Sequence, residues 1–290
     1  MKRLSRSSIE YLDYVWNFAS GCLHGGTGVC PVGDLCWARK TTERFKAHYP
    51  KGFEPTIYPE ARLSPLRLKS PATIGVCFMG DLFGDWVNPE TQVLFEDGYN
   101  SLKQYLHFVL KSCPQHTFIF LTKAPWNLER WGSWPDNAWV GASICIDWMV
   151  PRTIDNLCGI QAGCKWLSIE PMLSWTALTG YDFARAGISW LVIGALTGSR
   201  KDMEAARVKW PELTLMPFGP KWSLQPPVSW VQEIVEAAEK AGVKIWLKNN
   251  VVPGLMRGES SLFPRWARRA GPGLRQALPS DLSLPGAGGS

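Results

Sequence analysis

Histidine is scarce in these 290 residues. There are four, scattered, and none has an evident Ser or Asp partner, so no hydrolase triad can be read from the chain. No apolar run is long enough to cross a bilayer. The basic opening, residues 1–8, lacks the apolar stretch of a signal peptide. There is no P-loop, and Gly25-Gly26-Thr27-Gly28 lacks the strand and helix context of a dinucleotide fingerprint. No short-period repeat of the solenoid kind is present. These absences point to a cytoplasmic protein with no membrane partner. In that compartment the eight cysteines do not read as a disulfide framework; cysteine clusters read first as metal ligands or redox groups.

What is present is an ordinary globular composition, 46% hydrophobic and 19% charged, with an excess of Trp, sixteen in all. Short apolar runs rich in Val, Ile, Phe and Trp fall at residues 14–18, 73–78, 117–121, 138–144, 165–169, 190–193 and 243–247. They have the length and composition of buried strands. Helical patterns lie between them at 37–48, 89–113, 147–160 and 229–241, the last with Trp230, Ile234, Val235 and Ala238 on one face and Gly242 as its stop. This alternation predicts an α/β fold: a parallel sheet covered by helices, either partly closed as a barrel or open and doubly wound. In both, chemistry collects at the carboxyl ends of the strands. The Pro-rich stretch 210–227 reads as loop, and residues 263–290 as a basic Gly/Pro-rich segment separate from the body at 1–262.

Residues 21–39 read GCLHGGTGVCPVGDLCWAR. Seven residues separate Cys22 from Cys30 and five separate Cys30 from Cys36. Three thiols on one glycine-rich loop suit an iron–sulfur cluster with one iron left open. A structural zinc with His24 as fourth ligand is a second reading. Simple burial of the three thiols is a third.

The loop resembles the three-Cys cluster loop of the radical S-adenosylmethionine superfamily, in which an aromatic residue follows the last cysteine, as in Cys36-Trp37-Ala38-Arg39. The gaps between the cysteines are longer than is usual there. Further motifs follow in order: FMGDLFGDWV at 78–87, CPQHTFIFLTKAP at 113–125, SIEPML at 168–173, IGALTG at 193–198 and WLKNN at 246–250. Together they look like the strand-end motifs of a phage-associated, uncharacterised group of that superfamily, distantly similar to spore photoproduct lyase. The resemblance runs from about Trp16 to Pro279.

It implies a partial parallel (β/α) barrel carrying a [4Fe–4S] cluster on Cys22, Cys30 and Cys36. It also implies S-adenosyl-L-methionine on the open iron, and a flavodoxin- or ferredoxin-like one-electron reductant. Reductive cleavage of the cofactor would give a 5′-deoxyadenosyl radical, which takes a hydrogen atom from a substrate at the barrel mouth. The candidate cofactor contacts are Trp37, Gly80, Asp81, Lys123, Ser143, Glu170, Thr197 and Lys248. Asp81 is either an acceptor for the cofactor amino group or a cap of the next segment. Lys123 is either a partner for its carboxylate or a solvated charge. Ser143 is either a ribose contact or a turn residue. Glu170, an acid among apolar neighbours, is a ligand or catalytic group that Lys248 can pair with across the mouth. Cys145 lies two residues past Ser143 and is a candidate hydrogen-atom donor, or a core residue.

Three functions follow. One is a radical enzyme on a nucleic-acid or nucleotide-derived substrate. Another is the same chemistry on a peptide or small metabolite. The third is a zinc-stabilised, non-catalytic nucleic-acid-binding module. Net charge +6 is compatible with nucleic acid without requiring it. Arg257, Arg265, Arg268, Arg269 and Arg275, with Phe263 and Trp266, form a candidate phosphate- and base-binding stretch; the bland reading is a solvated tail that packs Trp266 on the body.

Overall fold

The computed structural model describes residues 4–61, 63–95, 98–256, 265–268 and 273–279. Its main element is an eight-stranded sheet. The strands are β1 (Leu4–Arg6), β2 (Tyr14–Trp16), β3 (Thr73–Val76), β4 (Thr117–Thr122), β5 (Ala138–Ser143), β6 (Cys164–Ile169) and β7 (Ile188–Ile193). Three shorter strands come next, β8 (Leu196–Gly198), β9 (Thr214–Phe218) and β10 (Lys221–Gln225), and pair with one another as a small antiparallel sheet. The last, β11 (Lys244–Leu247), pairs with β7 and completes the main sheet. All pairings in the main sheet are parallel except that of β1 with β2 at the edge.

The helices are α1 (Trp37–Arg44), α2 (Leu102–Ser112), α3 (Met149–Cys158), α4 (Gly180–Ala186), α5 (Arg200–Lys209), α6 (Val228–Lys240) and α7 (Val252–Leu255). Strand order in the main sheet follows chain order without a reversal. Right-handed crossovers between neighbours taken in sequence all fall on one side, so the helices cover one face. The larger core lies there. Phe118, Phe120, Val140, Leu167, Leu191 and Ile245 of the strands pack with Leu106, Ile154, Phe183 and Ile234 of the helices. Alternate strand residues, Ile119, Trp166, Trp190, Val192 and Trp246, point to the other face and form a second cluster without helical members.

The loop 7–13 between β1 and β2 fills that second face. The Tyr11 ring meets Trp166, Trp190 and Trp246 edge-on at centroid distances of 6.1, 5.1 and 5.9 Å. Edge-to-face contacts at this range are favourable beyond area burial alone. Gly141 makes room for Trp166, since a Cβ there would lie 2.4 Å from the indole nitrogen. That nitrogen donates to the Phe120 carbonyl at 3.0 Å. Glu10 accepts hydrogen bonds from the Trp246 indole at 3.3 Å and the Asn249 amide at 3.0 Å, so chain preceding the first parallel strand meets chain following the last. Among the described residues no strand ladder joins the two edges of the sheet. Residues of the C-terminal segment instead line β11: the Leu247 amide donates to Arg275 and the Ala277 amide to Ile245, at 2.8 and 2.9 Å.

All seven apolar runs are strands of the parallel set. Two expectations need correction. Residues 89–113 are not one helix: Gln92–Phe95 and Gly98–Ser101 form a hairpin, and α2 starts only at Leu102. Ser101 and Gln104 make a capping box there, each side chain bonded to the other's backbone amide, which fixes the helix start. Residues 210–227 are not loop throughout, because β9 and β10 form a hairpin within them, turning at Gly219 (φ 54°). The prolines sit at its turn and flanks and at the solvent-side position 217, so the ladder survives.

The packing of Tyr11 generates a stability prediction. Tyr11→Ala removes the ring that fills the second face and is expected to cost about 3–5 kcal/mol, as large aromatic truncations do. Tyr11→Phe is expected to cost little. Urea denaturation of both variants checks this, and an unchanged midpoint for Tyr11→Ala would show that the loop does not support the sheet.

Candidate functional site

The cysteine loop leaves the sheet after the two-residue pairing of Ala19–Ser20 with Thr56–Ile57. Its root is a backbone-to-backbone crossing. Gly21 (φ 90°) bridges Gly80: the Gly21 amide donates to Met79 at 3.0 Å and the Asp81 amide donates to Gly21 at 3.2 Å. A Cβ on Gly80 would lie 2.3 Å from the Gly21 carbonyl oxygen, and one on Gly21 2.3 Å from that of Glu54. Only glycine fits at either position. The chain's own crossing thus requires glycine at position 80.

Asp81 is buried and its carboxylate is saturated. Oδ1 accepts from the Phe83 amide at 3.0 Å and the Thr122 hydroxyl at 2.8 Å. Oδ2 lies 2.8 Å from His24 Nε2 and accepts from the Lys123 amide at 2.9 Å. Both sequence readings of Asp81 centre on a single role, and the structure shows a wider one. It caps the following segment through Phe83 and also ties the cysteine loop, through His24, to the end of β4. His24 packs edge-on against Trp86 at 4.7 Å and uses Nε2 inward, leaving at most Nδ1 for a metal.

Within the loop the Cys22 amide donates to Phe53, Cys30 to His24 and Cys36 to Gly33, at 3.2, 3.3 and 3.2 Å. Cys36 is the residue before α1. Burial, then the negative charge of Asp81, pushes the Cys22 thiol up to about 12. Lys123 lies beside the same group. Burial works against its ammonium, but the negative charge available on Cys145, Cys30, Asp81 and Cys36 outweighs this and raises its pKa above the ordinary lysine value. One half-buried cation therefore lies within electrostatic reach of thiols on two segments.

Strand alternation puts Ser143, Ser168 and Glu170 on the same face as Trp166. Ser143 and Ser168 are directly opposed in register. Glu170 pairs with Lys248 at 2.5 Å, as the sequence suggested. Gly194 makes this possible: a Cβ there would lie 2.8 Å from Glu170 Cγ. Cys145 is fully buried, and its thiol donates to the Glu170 carbonyl at 3.7 Å. Burial pushes that thiol up to about 11, with Lys123 opposing and Cys30 and Glu170 adding. It also packs with the larger core, so it stands at the seam between the helix layer and the strand ends.

A family model for a protein of unknown function, DUF5131, matches residues 6–212. The chain belongs to the DUF5131 family. No curated protein and no solved structure matches it. In this DUF5131 chain the matched span holds the cysteine loop and every candidate cofactor contact except Lys248, while the C-terminal arginines lie beyond it.

Other candidates stand apart. Trp37 opens α1 with 55% of its surface exposed. Thr197 lies in β8 opposite Ser223, in the small sheet. Of the C-terminal arginines, Arg275 is bonded to Glu239, while Arg257, Arg269 and Phe263 lie outside the described residues, as does the side chain of Arg265. Trp266 packs on the larger core, as one half of the solvated-tail reading has it, whereas the ion-paired Arg275 departs from the other half. Among the described residues, no three His, Cys, Asp or Glu side chains are gathered closely enough to hold a single metal ion. Sequence reasoning missed Ser168, whose hydroxyl is buried with no hydrogen-bond partner among the described residues, and Gly194. Both stand inside motifs already singled out, SIEPML and IGALTG, and counting by twos from Glu170 finds Ser168.

Asp81→Ala is expected to release the cysteine loop while leaving the sheet folded. Hydrogen bonds to a charged group are worth about 1.5–3 kcal/mol each, and the variant leaves His24 Nε2 without its carboxylate partner. Limited proteolysis should cut within residues 22–36 at least several-fold faster in the variant. Equal cutting rates would remove Asp81 from that role.

Proposed function

We propose that this DUF5131 protein is a radical S-adenosylmethionine enzyme acting on a nucleic-acid or nucleotide-derived substrate, with the main sheet curled as a partial (β/α) barrel. One observation carries the reading. Three thiols share a loop at the end of the first parallel strand, and the cation Lys123, whose amide bonds Asp81, lies within electrostatic reach of Cys30, Cys36 and Cys145. A sulfide-bridged cluster holds its thiolates further apart than one ion does, so thiols that share a loop and a cationic neighbour suit it. Chain-ordered strands and the Glu10 contacts to Trp246 and Asn249 support the curled sheet.

With a [4Fe–4S] cluster and S-adenosylmethionine bound, the chemistry supplied would be one-electron cleavage of the sulfonium to a 5′-deoxyadenosyl radical. The chain's own contributions are separate from that step. Cys22, Cys30 and Cys36 supply thiolates, and their protons leave when metal binds, against the upward pull on Cys22. Lys123 offsets the anionic charge so gathered. The Glu170–Lys248 pair fixes both charged groups at the strand ends, where a cofactor or substrate with both signs of charge would meet them. Ser143 and the unpartnered Ser168 offer hydroxyls on the same face. The Cys145 thiol, protonated at neutral pH, keeps a hydrogen atom available near Glu170. Loop 7–13 and the tryptophans exclude water from below.

Anaerobic reconstitution with iron and sulfide, followed by product analysis with dithionite and S-adenosylmethionine, tests this. Cys22→Ala, Cys30→Ala and Cys36→Ala are each expected to abolish the visible iron–sulfur absorption, and Cys158→Ala to leave it. Normal iron and sulfide content in all three loop variants would overturn the assignment. Glu170→Ala should keep the absorption but slow cofactor cleavage at least tenfold.

A further inference from the structure

The chain's net charge is unevenly placed. Residues 37–51, which are α1 and the turn after it, carry five Lys or Arg and one Glu. Helix α5 carries four Lys or Arg and two acids. The rest of the chain has 22 basic and 22 acidic residues, that is 31 and 25 less these nine and three. The whole excess of +6 therefore sits on two segments.

Those segments touch each other and the cysteine loop. Lys40 Nζ lies 2.8 Å from Asp202 Oδ2, and Lys209 Nζ donates to the Pro31 carbonyl at 3.3 Å. Loop 22–36 is thus flanked by cationic chain on both sides. Internal ion pairs do not use up this charge. Among the described residues Arg44, Lys46, Lys51, Lys201 and Arg207 are exposed and have no carboxylate partner within salt-bridge distance.

Aromatic surface accompanies the cations. On α1, Ala38 and Thr42 face inward, which turns positions 37, 40, 41 and 44 outward. Trp37 is 55% exposed and Phe45 47%, and the Arg44 guanidinium lies over the Phe45 ring at 5.3 Å. Exposed large aromatics cost free energy in water unless a partner covers them. Cations beside partly exposed aromatic rings match a strand that offers phosphates and unpaired bases together.

We infer that α1 with its following turn, joined by α5, is a docking surface for single-stranded nucleic acid, ribo- or deoxyribo-, leading to the cysteine loop. This rests on the proposed function for its purpose and names the substrate class of the same site. Binding itself needs no cofactor. An acidic protein would also be drawn to the charge, but it has no bases to stack on Trp37 and Phe45.

Fluorescence anisotropy with labelled 20-mer DNA and RNA single strands, on protein as purified and without S-adenosylmethionine, tests the inference over a salt series. Affinity is expected to fall with salt, with a slope of about −0.7 per phosphate neutralised. Arg44→Ala, Lys46→Ala and Lys201→Ala together should flatten the slope by roughly two units, from the same figure. Phe45→Ala should weaken binding about tenfold, as loss of one stacked base does, with the slope unchanged. All the substituted side chains are exposed, and thermal unfolding confirms that each variant is folded. No binding at low salt, or an unchanged slope in the triple variant, would overturn the proposal. So would polyglutamate or duplex of the same length binding as tightly as the single strand, which would assign the surface to an acidic protein or to polyanions in general. Failure here leaves the cluster assignment untouched, and loss of the cluster leaves the binding result standing.

Discussion

A single buried carboxylate holds the cysteine-loop end of this molecule together. Asp81 accepts from four groups on three segments: His24 of the cysteine loop, Thr122 and Lys123 at the end of β4, and Phe83 beside it. A carboxylate has about four acceptor sites, and here all are taken. That saturation makes burial tolerable, because an anion out of water must recover its lost hydration from fixed donors. Lys123 is positioned twice over, by its amide on Asp81 and by the charges around its ammonium.

The sheet supplies the other half of the arrangement. With strands in chain order, every strand end of the parallel set opens at one end of the molecule, and the period of two selects which side chains share a face. The layer of Trp166, Trp190 and Trp246 with Tyr11 is apolar and closed. One strand step further, polar groups begin: Ser168, then Glu170, and Lys248 two residues past Trp246. Packing below and polarity above follow from the same alternation, so a substitution in the tryptophan layer also moves the groups that stand on it.

The strands were legible because they are buried on both faces, and buried parallel strands write themselves as continuous apolar runs. The Glu170–Lys248 pair was legible because an acid at an apolar strand end has few ways to be satisfied. Helix α5 was not legible: its sequence RKDMEAARVK has only Met203 and Ala206 facing inward, too little apolar periodicity to mark it. The hairpin of β9 and β10 was hidden by its prolines, which occupy turn and flank positions and the exposed position 217 of β9. The role of Asp81 was hidden for another reason. Its partners lie 41 and 57 residues away, and no local pattern records that distance. The charge segregation onto residues 37–51 and α5 stands in the sequence, but it gains meaning only once Lys40 is seen beside Asp202.

The glycine crossing at the root of the cysteine loop bears on the loop's length. Gly21 and Gly80 are joined through backbone atoms alone, so the anchor depends on no side chain within the loop. Beyond the anchor, a Cβ on Gly26, Gly28 or Gly33 would meet nothing within 4 Å. At those three positions the loop therefore borders open space, while the root stays where it is. A loop built this way can accept added residues at those glycines without moving its root, as a bracket fixed at the wall can carry a longer arm.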